Sequence, residues 1–177
     1  MKSANQNTAV VIIDIINTFD FPGGDELLKN TKKILPDLLK LRDNAKKNDI
    51  PIIYVNDHYG IWQSDFTKVG EYCRNEKNKE IIDQMMPDAD DYFLIKPKHS
   101  GFYGTALESL LNELGVNHII FAGIAGDICV LFTANDAHMR EYDISVPKNC
   151  TASNEQQQND RALKLMEDKL SASTNPI

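Results

Sequence analysis

The sequence has few basic residues and no long apolar run, and each shortage excludes a class of function. Its 177 residues include 19 Lys and Arg against 26 Asp and Glu, which gives a net charge of -7. No cluster of basic residues is typical of a phosphate-binding surface, which excludes nucleic acid as a partner. The first apolar run ends at Asp14 and is too short for a signal peptide or a membrane span. We therefore expect a cytoplasmic protein without a membrane partner.

Cysteine is also scarce, and the three cysteines lie far apart in the sequence. Cys73, Cys129 and Cys150 are odd in number and form no close CxxC pair. This spacing excludes a disulfide framework and a zinc knuckle. Repeats, low-complexity segments and linkers are absent as well. A hydrophobic content of 42% is ordinary for a globular protein, so we predict a single domain over residues 1–177.

Short apolar runs alternate with longer amphipathic stretches along the chain. The apolar runs predict strands over residues 9–13, 50–55, 92–95, 118–122 and 144–146. The amphipathic stretches predict helices over residues 25–48, 77–86, 105–114, 127–141 and 155–170. The strands are apolar throughout, which indicates that both faces of the sheet are covered. We therefore predict an α/β fold, a three-layer αβα sandwich with a mainly parallel, Rossmann-like central sheet.

Two segments lack a clear pattern of this kind. Residues 57–74 are rich in aromatic and polar side chains, and we predict an irregular loop that lies over a site. Residues 171–177 follow the last predicted helix, and we expect them to fray.

Three reactive side chains stand where predicted strands end. Asp14 closes the first strand and Lys96 closes the third. The fourth runs into a small-residue turn, and Cys129 lies in the first turn of the helix that follows. Ligands of open parallel sheets bind beyond the carboxyl ends of the strands, so these side chains should converge there. The first turn of a helix favours a thiolate at Cys129, and Lys96 would favour it further. Asp14 could then accept the thiol proton, while N–H groups of the turn hold an oxyanion.

The segments around these residues resemble the isochorismatase-like cysteine hydrolases. Asp14 lies in VVIIDIINTF, Lys96 in IKPKHSGFYGT and Cys129 in GIAGDICV, and the motifs span residues 8–153 in the family's order. The resemblance implies that Asp14 is the base, Lys96 its electrostatic partner and Cys129 the nucleophile. It also implies a non-proline cis peptide between Ile124 and Ala125 that helps aim the oxyanion donors. The family typically hydrolyses C–N bonds of small amides and ureido compounds through a thioester, and its members form dimers or higher homo-oligomers.

Each of these residues also has a purely structural explanation. A cysteine in an apolar helix is most often a small core residue. An acid or a lysine that closes an apolar strand is common as well. Lys98 is the alternative to Lys96, but Lys96 ends the apolar run directly and stands four residues before Ser100, as in the family. The combination of all three residues favours the catalytic interpretation.

The nicotinamidase branch of this family binds a metal through an Asp-x-His pair and a further histidine. Here the residue two positions after Asp57 is Tyr59, and no second histidine follows nearby. We therefore predict neither a metal site nor a cofactor. Six residues near the strand ends are predicted to line the pocket for a small-molecule substrate: Phe19, Asp57, His58, Trp62, Phe102 and Tyr103.

These observations favour a metal-independent cysteine hydrolase that cleaves an amide or carbamoyl C–N bond. Three alternatives stay open at this point. The chain could be a catalytically silent binding protein of the same fold, a nicotinamidase-type amidase, or a redox sensor that acts through Cys129.

Overall fold

A parallel six-stranded sheet forms the centre of the molecule. The computed structural model describes residues 7–177. Its strands are β1 (Thr8–Ile13), β2 (Ile52–Asp57), β3 (Tyr92–Lys96), β4 (His118–Ile124), β5 (Asp143–Ser145) and β6 (Thr151–Ala152). The strand order is β3-β2-β1-β4-β5, all pairs are parallel, and β6 pairs with the end of β4.

Helices cover both faces of this sheet. They are α1 (Gly24–Lys47), α2 (Phe66–Cys73), α3 (Lys79–Met85), α4 (Leu107–Glu113), α5 (Leu131–His138) and α6 (Gln156–Leu170). A π-helical turn over Gly126–Val130 leads into α5, and a short 3-10 turn over Lys148–Cys150 precedes β6. No helix in this described part of the chain is long and apolar enough to cross a bilayer.

The continuous apolar pattern of the strands arises because successive side chains enter two different cores. Val10 and Ile12 pack in one cluster with Leu38 of α1. Val11 and Ile13, from the opposite face of β1, pack in a second cluster with residues of α4, α5 and α6. Strand side chains alternate between faces, so a strand between two helical layers is apolar at every position. The predicted three-layer α/β fold is confirmed.

The segment predicted to be irregular, residues 57–74, contains helix α2. The Asp65 side chain caps this helix by accepting a hydrogen bond from the Lys68 N–H, and Val69 and Cys73 bury its inner face. Helix α2 has two inward apolar positions, one turn apart. This hydrophobic pattern is too short to distinguish a helix from the polar residues around it in the sequence.

The C-terminal tail does not fray but follows β5. The Val146 N–H donates to the Ser173 carbonyl, and the Ser173 N–H donates to the Ile144 carbonyl. Ala172 is buried in the second core. Three backbone hydrogen bonds with residues 144–148, one of them from the Lys148 N–H to the Thr174 carbonyl, and the buried Ala172 hold this segment, whereas its composition alone is typical of a loose terminus.

Candidate active site

Lys96 joins the other two predicted catalytic residues at the carboxyl end of the sheet. Its Nζ lies 2.9 Å from Asp14 Oδ2 and 3.5 Å from Cys129 Sγ. It also donates to the Lys98 carbonyl at 2.9 Å. The Lys96 side chain is 2% exposed, and that of Asp14 is 8% exposed. The ammonium group thus has three partners in a site that is largely closed to water.

The end of β2 holds the Asp14 carboxylate in place. The Asp57 N–H donates to Asp14 Oδ1 at 2.8 Å, and the Asp14 N–H donates to the Val55 carbonyl at 3.1 Å. The buried Asn56 amide accepts from the Ile16 N–H and donates to the Ile16 carbonyl. These bonds fix the segment after β1 against β2, which leaves Oδ2 of Asp14 facing Lys96.

Cys129 lies within the π-helical turn after β4. The N–H groups of Ile128 and Val130 both donate to the Ala125 carbonyl, and the Asp127 N–H donates to Ser153 Oγ. The peptide bond between Ile124 and Ala125 is cis, as the resemblance implied. Wide π-helical turns occur frequently at functional sites.

Gly126 allows this turn to pack closely against α6. A Cβ atom at this position would lie 2.0 Å from Asn159 Oδ1, closer than two atoms can approach. Asn159 in turn accepts a hydrogen bond from Ser153 Oγ at 3.0 Å. Position 126, three residues before Cys129, therefore has to be glycine, because the buried Asn159 amide leaves no room for a side chain.

The segment after β3 is tied to the helix that follows Cys129. Thr133 Oγ1 donates to the Cys129 carbonyl at 2.6 Å and accepts from the Gly101 N–H at 2.9 Å. Ser100 Oγ donates to Asp136 Oδ2 at 2.5 Å. These bonds set the position of Lys96 relative to the sulfur, because Lys96 precedes this segment directly.

A cavity of about 450 Å³ opens above the three residues. Three segments that follow strands supply the rest of its lining: Asn17, Thr18 and Phe21 after β1, Asp57 and Tyr59 at β2, and Pro97, Lys98 and His99 after β3. The cavity is large enough for a small molecule whose reactive carbon would lie beside Cys129 Sγ.

Residues 8–175 match the family described as Isochorismatase domain. The chain belongs to the isochorismatase family. An uncharacterized isochorismatase family protein, YaaI of Bacillus subtilis (strain 168), is 56% identical over 164 residues, which cover 93% of this chain and 91% of the relative. A probable inactive nicotinamidase of Arabidopsis thaliana is 30% identical over 159 residues, which cover 83% and 81%. The resemblance found in the sequence is confirmed.

Solved structures with the same fold include named amidases. A nicotinamidase of Staphylococcus aureus has a TM-score of 0.72 at 27% identity, over 95% of this chain and 96% of that chain. The N-carbamoylsarcosine amidase of Thermoplasma acidophilum has a TM-score of 0.72 at 26% identity, over 96% and 95%. The fold is therefore shared over almost the full length of both proteins.

The electrostatics of this isochorismatase-family site favour a neutral thiol rather than the expected thiolate. Burial and the Asp14 carboxylate raise the pKa of Cys129 from its ordinary 9.0 to about 12, and Lys96 only partly opposes them. Burial raises the pKa of Asp14 as well, against the effect of Lys96. Burial lowers the pKa of Lys96, but Asp14 and Cys129 outweigh it and leave a raised value. Asp14 is therefore a stronger base than an ordinary carboxylate, beside a thiol that still holds its proton.

Only Asp57 of the six residues predicted to line the pocket does so. Phe19 is buried in the first core, and Phe102 is buried in the second beneath the Arg140 guanidinium. His58 stacks on Trp62 at 3.9 Å between ring centroids, away from the cavity.

Tyr103 is 61% exposed and also lies outside the cavity lining. The interpretation that these aromatic side chains wall the pocket is corrected, since closeness to a strand end does not determine where a side chain points. Asn17, which lines the cavity, caps its turn by accepting a hydrogen bond from the Phe19 N–H.

Sequence reasoning missed His99 as a residue of the site. Its Nδ1 lies 3.9 Å from Cys129 Sγ, and its ring stacks on Phe132. The available signal was its place three residues after Lys96, in the segment that must cross above the strand ends. Lys98, the alternative to Lys96, is exposed and supplies its carbonyl group to Lys96.

Proposed function

We propose that this chain is a cysteine hydrolase that cleaves the C–N bond of a small amide or carbamoyl compound. The observation that carries the proposal is the contact of one buried ammonium group, that of Lys96, with both Asp14 and Cys129. The fold shared with a nicotinamidase and an N-carbamoylsarcosine amidase supports this reaction class. No step of the proposed reaction uses a metal ion.

In the first half of the reaction, Asp14 accepts the thiol proton as Cys129 Sγ attacks the carbonyl carbon. The resulting oxyanion lies against the N–H groups of Ala125 and Cys129 in the proposed arrangement. The tetrahedral intermediate then collapses, the C–N bond breaks, and Asp14 returns the proton to the leaving nitrogen. The products of this half are a free amine or ammonia and a thioester on Cys129.

In the second half, water attacks the thioester and gives its proton to Asp14. The C–S bond breaks, the acyl group leaves as a carboxylic acid, and the sulfur regains its proton from Asp14. Lys96 keeps its charge throughout and holds the carboxylate in place by the contact at 2.9 Å. Because the pKa of Asp14 is raised, this residue can accept and release the proton with a smaller penalty than an ordinary carboxylate.

A screen of small primary amides and carbamoyl compounds, nicotinamide among them, tests the proposal through release of ammonia or amine. We expect Cys129→Ala and Asp14→Asn to abolish turnover while the far-ultraviolet circular dichroism spectrum stays unchanged. Cys150→Ala, which replaces a buried cysteine outside the cavity, is the matched control and should retain turnover. A fully active Cys129→Ala protein would overturn the proposal.

The relative from Arabidopsis thaliana that is named a probable inactive nicotinamidase gives specific support to a second candidate, a catalytically silent binding protein. Calorimetric binding of a screened compound in 1:1 ratio, without product and without a trapped thioester, would favour this candidate. Homo-oligomeric assembly stays a prediction, which light scattering on the purified protein tests.

A further inference from the structure

His99 is a titratable side chain beside the nucleophile that the proposed reaction leaves unused. Its Nδ1 lies 3.9 Å from Cys129 Sγ, and its imidazole is exposed at the mouth of the cavity. The ring stacks on Phe132 of α5, with 5.8 Å between centroids and an angle of 21° between the planes. The imidazole therefore lies beside both Cys129 Sγ and the Phe132 ring of α5.

The position of His99 matches one particular part of a bound substrate. A carbonyl carbon attacked by Cys129 carries an oxygen, a leaving nitrogen and an acyl substituent besides the sulfur. In the proposed reaction the oxygen faces the turn before Cys129, and the nitrogen faces Asp14. The acyl substituent then extends toward the mouth, and a ring whose nitrogen is 3.9 Å from the sulfur lies against it.

The charges around His99 come from several elements. Lys98 precedes it and also lines the cavity. Behind the sulfur, Lys96 and Asp14 form an ion pair and largely neutralise each other. On the α5 side, Asp136 accepts a hydrogen bond from the Ser100 hydroxyl. On the β2 side, the Asp57 carboxyl group lies in the lining, and its Oδ1 accepts from the Tyr59 N–H.

We propose that His99 occupies the position that determines substrate specificity: a positive charge at this position favours compounds with a carboxylate or another anionic group on the acyl side of the scissile bond. One positive charge at about 4 Å from an anion in water changes binding by about fivefold. The charge carried by residue 99 therefore sets the selectivity of the cavity. The inference rests on the proposed function, because the acyl side is defined by thioester formation.

Alkylation of Cys129 tests this preference without any turnover. Iodoacetate is anionic and iodoacetamide is neutral, and in both the sulfur displaces iodide from a carbon of similar size. Both reagents react with the same thiolate, so the ratio of their rate constants cancels changes in the thiolate fraction. Mass spectrometry of the Cys129 peptide separates its labelling from that of Cys73 and Cys150, which are buried.

At about pH 8.5, we expect the iodoacetate to iodoacetamide ratio to be about fivefold higher in His99→Lys than in His99→Gln, because the two variants differ by one positive charge. His138 is an exposed histidine of α5 that lies outside this cavity, and the ratio should be the same in His138→Lys and His138→Gln.

Equal ratios in His99→Lys and His99→Gln would overturn the inference. Failure of both reagents to label Cys129 even in Asp14→Asn, whose thiolate fraction should be larger, would also overturn it, because the mouth would then be closed to such groups. If the alkylation ratio changes as expected but the protein hydrolyses no amide, the hydrolase proposal alone is refuted. If the protein hydrolyses amides but the kcat/KM ratio of anionic to neutral amides is the same in His99→Lys and His99→Gln, the role of residue 99 alone is refuted.

Discussion

The Lys96 ammonium and the Asp14 carboxylate form an ion pair at 2.9 Å with almost no exposure to water. Replacing one partner of such a pair lowers the stability of the protein far more than replacing both, because the remaining charge is then buried without compensation. Each of the two charges therefore depends on the other, and both affect the pKa of the neighbouring Cys129 thiol. Four predictions follow from this arrangement and from the bonds around it.

Lys96→Met should lower the free energy of unfolding by about 3–5 kcal/mol, because it leaves the Asp14 carboxylate buried and unpaired. Urea denaturation at neutral pH measures the loss. The double variant Lys96→Met/Asp14→Asn removes both charges and should regain most of the stability, which makes the two single variants strongly non-additive. A Lys96→Met protein as stable as the wild type would show that the carboxylate does not depend on the ammonium group.

Asp14→Asn should accelerate alkylation of Cys129 by iodoacetamide while it abolishes hydrolysis. The Asp14 carboxylate raises the pKa of Cys129, so its removal increases the thiolate fraction, by about tenfold for each unit by which the pKa falls. Asp65→Asn, at the N-cap of α2, is the control and should leave the rate unchanged. Slower alkylation in Asp14→Asn would mean that Asp14 promotes the thiolate already in the resting enzyme.

Stability should fall between about pH 9 and about pH 12. Burial raises the pKa of Cys73, Cys129 and Cys150 from 9.0 to about 12 in the folded protein. The unfolded thiols lose their protons first, so the unfolded state binds fewer protons and gains stability as the pH rises. Each thiol contributes a slope of up to about 1.4 kcal/mol per pH unit, which urea denaturation at several alkaline values measures.

Cys150→Ala is the control for this pH dependence, because it removes one of the three thiols at a distance from the active site. Its stability should decline less steeply with pH than that of the wild type. An equal slope in the two proteins would mean that the buried thiols do not cause the alkaline loss.

Thr133→Val should both destabilise the protein and disturb the alignment of the site. The hydroxyl accepts from the Gly101 N–H and donates to the Cys129 carbonyl, so the replacement leaves the buried Gly101 N–H without this acceptor. We expect a loss of about 1–3 kcal/mol in urea denaturation, together with a changed rate of Cys129 alkylation. Thr133→Ser keeps the hydroxyl and should restore the alkylation rate. A wild-type rate in Thr133→Val would show that the two segments are aligned by other contacts.

The sequence alone was sufficient for five of the six strands and for the residues at their ends, but the two-residue strand β6 was missed. Apolar runs without alternation indicate a parallel sheet that is covered on both faces. The carboxyl ends of parallel strands meet at one edge of the sheet, and Asp14, Lys96 and Cys129 could therefore be placed together. Their catalytic roles stay predictions. The lining of the cavity could not be obtained this way, because tertiary hydrogen bonds decide the path of each connecting segment. In the segment after β3, the Gly101 N–H donates to Thr133 Oγ1, and the next residue, Phe102, is buried. His99 of the same segment lies instead beside the Cys129 sulfur.

The ionisation of Cys129 could not be obtained from the sequence either. The position of the cysteine at the start of a helix favours a thiolate, and that local effect is visible in the motif. The larger opposing effect is burial beside a carboxylate, which depends on how the chain packs. The expectation of a thiolate therefore took account of the local effect alone, whereas the opposing effect is one that only the folded structure contains.

The C-terminal segment has a consequence for association between copies of this chain. Ser173 forms backbone hydrogen bonds with both Ile144 and Val146, so the chain's own last residues occupy the outer side of β5. An exposed strand edge is a template for pairing with another chain, and here that template is already used along these residues. A sheet that continues across this side into a second molecule would first require the tail to detach.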